Sequence, residues 1–378
     1  MIVLPKLSLY IHIPWCSKKC PYCDFNSYVS KKNIPEKKYV ENLIKDFHND
    51  KKFIQNRKIQ TIFIGGGTPN LLSNNSIKNL IENIKNSSEI NKLTEITIEV
   101  NPESINIEKI LEYINIGINR ISIGIQSFNQ KSLKLLGRNH TEEISTNLLH
   151  AIKKNRINSN IDLIYGTPEQ TLQDCLNDLK KAIFMDPTHI SWYQLSIEKN
   201  TPFYFEKLNL PNEETIWKMY NIGDKLLKQS KYKRYEISSY SKPNFECLHN
   251  LNYWHFGDYI GIGCGAHSKI THTNGNITRF IKKKNIYHYL SSNKYIQKKY
   301  KVLNQEKPFE YFLNTFRLFH PIKKKYFSLY TGLSIKKIQK QINQCIQEKY
   351  ITETNKYWIV LPKGRNFLNN LLELFIEY

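Results

Sequence analysis

The feature that most constrains this chain is a six-fold alternation between short apolar segments and longer amphipathic ones. Residues 7–13, 61–64, 96–100, 120–126, 160–165 and 189–196 are Ile-rich and bounded by Gly, Pro or Asn, the pattern of buried strands. Between and after them, apolar residues recur at helical spacing over 36–55, 76–86, 107–116, 141–155, 171–185 and 213–229. Six βα units in series predict a parallel sheet covered by helices, either doubly wound or closed. Six units fall short of the eight of a full barrel. The predicted fold is therefore α/β, a partial (β/α)6 TIM-like barrel.

After about residue 235 the rhythm changes. The chain has 378 residues, enough for more than one domain. The expected division is a core barrel over 1–235, a connecting region over 236–306 and a C-terminal domain over 307–378. Residues 247–268 are rich in Gly and aromatics and read as loops and short strands. From Pro308 the pattern gives three helices with a hairpin over 350–361, in the order helix, helix, hairpin and a final helix over 365–375. That layout is winged-helix-like, and it reads as a packing or docking module because no base-reading motif accompanies it.

Composition removes several function classes. The formal charge is +22, from 55 Lys+Arg against 33 Asp+Glu, which would draw nucleic acid or an anionic membrane. Lys and Asn recur along the whole chain, however, so a sequence-wide bias accounts for most of that charge, and no nucleic-acid partner is predicted. No apolar run is long enough for a membrane span, and residues 1–13 lack the basic leader and small-residue cleavage site of a signal peptide. Seven cysteines is an odd number, and three of them fall within eight positions. Without an export signal, that pattern predicts metal or redox chemistry in the cytoplasm, not a disulfide framework.

Cys16-x3-Cys20-x2-Cys23 directly follows the first strand. Thiolates are soft ligands suited to Fe–S clusters, and one loop can wrap three corners of a cube. Three thiolates leave one iron open to bind a small cofactor. Zinc on the same cysteines with His12 is the alternative. In parallel α/β folds ligands gather at the carboxyl ends of strands. There the sequence places Gly65-Gly66-Gly67-Thr68-Pro69, Glu99, Gln126, Asp162 and Ser196. Each alone is an ordinary turn or strand end; together, beside a cysteine loop, they predict a cofactor site.

Several segments resemble the radical S-adenosylmethionine (SAM) coproporphyrinogen III dehydrogenase family. They are Tyr10 to Cys16 (YIHIPWC), Cys20-Pro-Tyr22-Cys23, the GGGTP turn, Ile121 to Phe128 (ISIGIQSF) and Asn160 to Gly166 (NIDLIYG). The resemblance implies a 4Fe–4S cluster on Cys16, Cys20 and Cys23. It implies SAM contacts at Tyr10, Gly66, Glu99 and His267, and a second SAM-type set at Tyr22, Gly67, Thr68, Gln126, Arg138, Asp162 and Ser196. Two departures separate the chain from the dehydrogenases. Phe25 stands where they carry a fourth cysteine, and no N-terminal extension precedes the first strand. Both departures are similar to the HemW-like haem chaperones. So is Cys247-Leu-His249-Asn250-Leu-Asn252-Tyr253-Trp254, in which His249 could ligate haem iron between Tyr253 and Trp254. Cys247 and His255 are rival ligands. Cys175 and Cys345 read as core residues. The implied function is binding haem, with a cluster and SAM, and passing haem to an acceptor protein without dehydrogenase activity or an assigned catalytic residue. The alternative is an oxygen-independent coproporphyrinogen III dehydrogenase. Expected partners are the acceptor, an electron donor such as a flavodoxin or ferredoxin, and a second copy of the chain.

Overall fold

The computed structural model describes residues 2–30, 34–88, 90 and 93–376. Six strands form where the sequence predicts them: β1 (Leu7–Ile13), β2 (Ile59–Gly66), β3 (Glu95–Val100), β4 (Arg120–Gln126), β5 (Ser159–Tyr165) and β6 (His189–Gln194). They pair in that order, all parallel. The helices between them lie against the sheet: α1 (Glu36–Asp50), α2 (Asn74–Ser87), α3 (Ile107–Ile116), α4 (Glu142–Lys154) and α5 (Leu172–Met185), with α6 (Glu213–Gln229) following. Most start on side-chain caps, as Ser73, Asn106, Thr141, Thr171 and Asn212 do. The apolar faces of both layers merge into one core running from Leu7 to Tyr295.

Three local expectations differ. The first helix is shorter than predicted, because the chain tightens into a 3-10 turn over Lys51–Ile54. The sixth strand ends at Gln194, so Ser196 lies beyond it. The stretch 247–268 holds a helix, α7 (Leu248–Trp254), and a seventh parallel strand, Asp258–Ile262, which pairs with the outer edge of β1. The helix escapes a local reading because its cap is remote: the Glu95 carboxylate accepts the Leu248 and His249 backbone N–H groups at 3.0 and 2.9 Å. Antiparallel strands His267–Thr271, Ile277–Lys282 and Ile296–Val302 extend the sheet beyond that edge, and Ser239–Ser241 and Lys233–Arg234 extend the other.

The C-terminal residues build a second core around Tyr311, Phe312, Phe327 and Trp358. Helices Lys307–Thr315, Lys324–Thr331 and Gln339–Gln347 pack with the hairpin Ile351–Glu353 and Tyr357–Val360. Ile322–Lys323 adds a third strand, and the final helix is broken at Phe367 into Pro362–Asn366 and Leu368–Glu373. No helix among the described residues is long and apolar enough to cross a membrane.

Candidate functional site

The cysteine loop leaves β1 at the carboxyl end of the sheet. Trp15–Cys16 pairs with Tyr28–Val29, which ties both ends of the loop, and the Cys23 N–H donates to the Cys20 carbonyl. The glycine turn after β2 packs directly beneath. The N–H groups of Gly67 and Thr68 donate to the carbonyls of Ile13 and Trp15, both at 2.7 Å. A side chain at Gly67 would stand 2.5 Å from the Trp15 carbonyl oxygen and 2.9 Å from Cys16 Sγ. Gly66 has φ +115°, open to glycine at no cost, and a Cβ there would strike the His12 ring.

Cys16, Cys20 and Cys23 line one cleft of about 440 Å³. Its walls include Tyr22, Gly66, Gly67, Thr68, Glu99, Gln126, Arg138, Asp162 and Ser196, so the second predicted set converges as a whole. Gln126 adopts φ +69° where β4 slips register, a strained position for a side-chained residue. Arg138 donates to the Gly124 carbonyl at 2.7 Å and lies 3.8 Å from Cys20 Sγ. Burial pushes the Cys16 thiol up, while the Thr68 and Ser27 hydroxyls pull it back toward thiolate. Glu99 accepts the Gly66 N–H at 3.1 Å, and burial, with Asp162 second, pushes its carboxyl up to about 8. Asp162 is raised by burial too, and accepts from Asn160 and Ser122 at 2.8 and 3.2 Å.

Tyr10 and His267 lie elsewhere. Both line a larger cleft of about 900 Å³ with Tyr253 and Trp254, separated from the first by Cys23, Asp24 and Phe25, which border both. Tyr10 reaches Glu99 and Gly66 through a third, inner cavity of about 290 Å³, which His249 also lines. Tyr253 fronts both the inner cavity and the large cleft. His249 is 1% exposed, with Nδ1 against Thr61 Oγ1 and Nε2 against Tyr253 Oη, both at 2.8 Å. Burial, aided by the nearby Arg120 charge, drops its pKa to about 3, so the ring is neutral. Trp254 packs under the Arg317 guanidinium, 4.4 Å from the ring centroid. His12, the alternative zinc ligand, spends both nitrogens on Tyr10 Oη and the Asn26 carbonyl, each at 2.9 Å, and does not line the cysteine cleft. Cys247 is buried against Glu95, and Cys175 and Cys345 are buried in helices.

Sequence reasoning missed Arg120 and Tyr193. Arg120 lines the inner cavity with Glu99, Asp162 and His249, and Tyr193 borders both that cavity and the cysteine cleft. A lone Arg opening the apolar run Arg120–Gln126 was the available signal, since a buried guanidinium needs partners.

Residues 10–182 match the Radical SAM superfamily model, and residues 302–367 match the HemN C-terminal domain. The solved Escherichia coli coproporphyrinogen III oxidase HemN, a radical SAM enzyme, superposes with a TM-score of 0.83 at 22% identity, covering 98% of this chain and 90% of that one. That likeness fixes the fold as a radical SAM barrel with a C-terminal domain. The Heme chaperone HemW of Buchnera aphidicola from Acyrthosiphon pisum is 53% identical over 377 residues, covering all of both chains. The Heme chaperone HemW of Escherichia coli K12 is 44% identical over 377 residues, again with full coverage of both. With identity at that level from end to end, the chain belongs to the HemW family of radical SAM proteins.

Proposed function

We propose that this protein is a haem chaperone-like radical SAM protein of the cytoplasm, which binds haem beside a 4Fe–4S cluster and SAM and passes haem to an acceptor. The observation that carries the reading is one juxtaposition in a chain 53% identical to a haem chaperone: three cysteines share a cleft with Gly67, Thr68 and Arg138, one loop away from Tyr253 and Trp254.

Three thiols with no fourth protein ligand in the loop suit a cluster with an open iron, and Gly67 clears the space against Cys16. When bound, such a cluster supplies electrons and a free coordination position. The chain's own work is to hold and orient. Cys16, Cys20 and Cys23 are the cluster ligands. Arg138 offsets thiolate charge at Cys20. Glu99, Gly66, Tyr10 and His267 are the contacts for SAM, the carboxylate of Glu99 meeting its ammonium. Tyr22, Gly67, Thr68, Gln126, Asp162 and Ser196 form the adjoining wall. Tyr253 and Trp254 offer flat apolar faces for the macrocycle, with His249 behind them as the candidate ligand. The electron donor is a flavodoxin or ferredoxin, and a homodimer is the assembly to look for.

The test is anaerobic reconstitution followed by two separate assays, one for haem binding and one for coproporphyrinogen III decarboxylation. Haem binding with no decarboxylation is the expected result. Sustained decarboxylation would replace the chaperone reading with the dehydrogenase.

A further inference from the structure

A fourth concave site, of about 220 Å³, opens where the barrel edge meets the C-terminal domain, and shares only Gln194 with the cysteine cleft. Its aromatic walls are Tyr165, Trp192, Trp217, Tyr220 and Tyr240, and its cations are Arg234 and Arg365. The two arginines are differently placed. Arg234 is 8% exposed and fully engaged: it donates to the Ile237 and Glu236 carbonyls and to Tyr220 Oη, and its guanidinium lies over the rings of Tyr220, Tyr240 and Phe319. That is a structural arginine.

Arg365 is not. It lies over the same Phe319 ring, 4.1 Å from the centroid, and donates one bond, from Nη2 to the Phe319 carbonyl at 3.3 Å. Its Nε is buried and has no hydrogen-bond partner among the described residues, and no ion pair reaches it. The carboxylate on this side, Asp224, is 3.5 Å from Arg234, and it also binds Lys228 and accepts the Tyr240 hydroxyl. That oversubscribed acid pairs with Arg234, so of the two guanidiniums held on the Phe319 ring Arg365 is the one without a carboxylate among the described residues. Their mutual repulsion, after burial, lowers the pKa of Arg365. A half-buried positive surplus whose buried Nε–H lacks an acceptor is a place that an anion can complete. At the mouth, Trp217 is 48% exposed although it stacks on Tyr220 at 5.4 Å, which leaves its outer surface as a platform for a flat ring.

We propose that this pocket binds a small aromatic anion, a planar ring carrying a phosphate or carboxylate, with Arg365 on the anion and Trp217 stacked on the ring. The cation comes from the C-terminal domain and the platform from the barrel, so the ligand would join the two.

The experiment is a tryptophan-fluorescence titration of the full chain, saturated with SAM so that nucleoside sites are filled. Phenyl phosphate and benzoate are the probes, with inorganic phosphate and benzyl alcohol as half-ligands. Saturable quenching by phenyl phosphate, by benzoate or by both is expected, and the stronger of the two identifies the anion. Each half-ligand should bind at least tenfold more weakly. Arg365→Gln should weaken the aromatic anion by about tenfold or more, the loss of one charge-assisted contact, with an unchanged melting temperature without ligand. Trp217→Phe should remove most of the quench while a ligand-induced rise in melting temperature persists. No saturable response to either aromatic anion at millimolar concentration overturns the proposal. So does equal affinity in a folded Arg365→Gln chain.

Discussion

The Tyr253 hydroxyl and His249 Nε2 share a hydrogen bond of 2.8 Å, and the Thr61 hydroxyl occupies the opposite nitrogen at the same distance. The histidine that sequence alone would offer to haem iron is thus neutral, buried and doubly bonded. Between it and the large cleft stand Tyr253, Tyr10 and Phe25, which border both cavities. Ligation through Nε2 therefore requires the Tyr253 hydroxyl to give up its place on that nitrogen.

The first prediction follows from that bond. Tyr253→Phe removes one hydrogen bond that competes for Nε2, worth about 0.5–1.5 kcal/mol, so haem should bind roughly three- to tenfold tighter. His249→Ala should shift the Soret band of bound haem, whereas His48→Ala and His288→Ala should not. An unmoved spectrum in His249→Ala would transfer the axial role to another residue of the cleft.

A second prediction concerns the cluster. Gly67→Ala puts a methyl group 2.5 Å from the Trp15 carbonyl oxygen and 2.9 Å from Cys16 Sγ, and backbone cannot give way there cheaply. Reconstituted Gly67→Ala should hold little iron or sulfide, like Cys16→Ala, Cys20→Ala and Cys23→Ala. Cys175→Ala and Cys345→Ala should keep the full 4Fe–4S absorbance, because both thiols are buried in helices and do not line the cleft. Iron and sulfide analysis with EPR of the reduced protein checks all six.

The third prediction is a pH dependence. Glu99 has its carboxyl raised to about 8 in the fold, chiefly by burial. A raised acid keeps its proton in the folded chain at pH values where the unfolded chain has lost it. Its contribution is therefore present below the ordinary carboxylate range and is lost as pH climbs from there to about 8. Glu99→Gln removes that loss. In the SAM-free chain the variant should gain on the wild type between pH 5.5 and 8.5, by on the order of 1–3 kcal/mol after allowance for hydration in the cleft. Thermal melts of both chains at the two pH values measure it, and parallel curves would refute the assignment.

How much of this could be read from residues alone depends on whether the signal is local. The six strands of the barrel and the GGGTP turn were legible because Ile-rich runs, glycines and capping residues report on their own neighbourhoods. The convergence of Gly67, Gln126, Arg138 and Asp162 was legible through the strand-end rule and the family resemblance. The helix Leu248–Trp254 was not, since Glu95 caps it from a different strand. The seventh parallel strand was hidden for a related reason: Asp258–Ile262 is short, and its partner β1 is about 250 residues earlier. Nor could spacing reveal that His249 and Trp254, five residues apart on one helix, line different cavities.

That remote cap gives a fourth prediction. Glu95→Ala leaves two backbone donors of the helix unpaired, the His249 N–H buried, at about 1–3 kcal/mol, and the Leu248 N–H only partly buried and so less costly. The variant should melt several degrees lower, and its haem spectrum should broaden because His249 and Tyr253 ride on the loosened helix. Glu95→Gln keeps one acceptor oxygen and should fall between. A haem spectrum unchanged in a destabilised Glu95→Ala would separate helix order from haem binding.

The last prediction addresses Phe25. It is 57% exposed and belongs to the short wall, with Cys23 and Asp24, that divides the cysteine cleft from the large cleft. In the dehydrogenases that this family resembles, a cysteine stands at this position, so Phe25→Cys is the obvious attempt to restore their chemistry. It should fail. A reactive geometry depends on groups held within fractions of an ångström by their surroundings, and one thiol supplies none of that support. What it should change is the wall. Exchanging a large ring for a small thiol widens the passage between the two clefts, so haem in Phe25→Cys should perturb the EPR spectrum of the reduced cluster more than in the wild type. Coproporphyrinogen III should remain unconverted by both chains under cluster, SAM and reductant. Conversion by Phe25→Cys alone would mean that the substrate pocket is already complete and that this one side chain decides between carrying a tetrapyrrole and reacting with it.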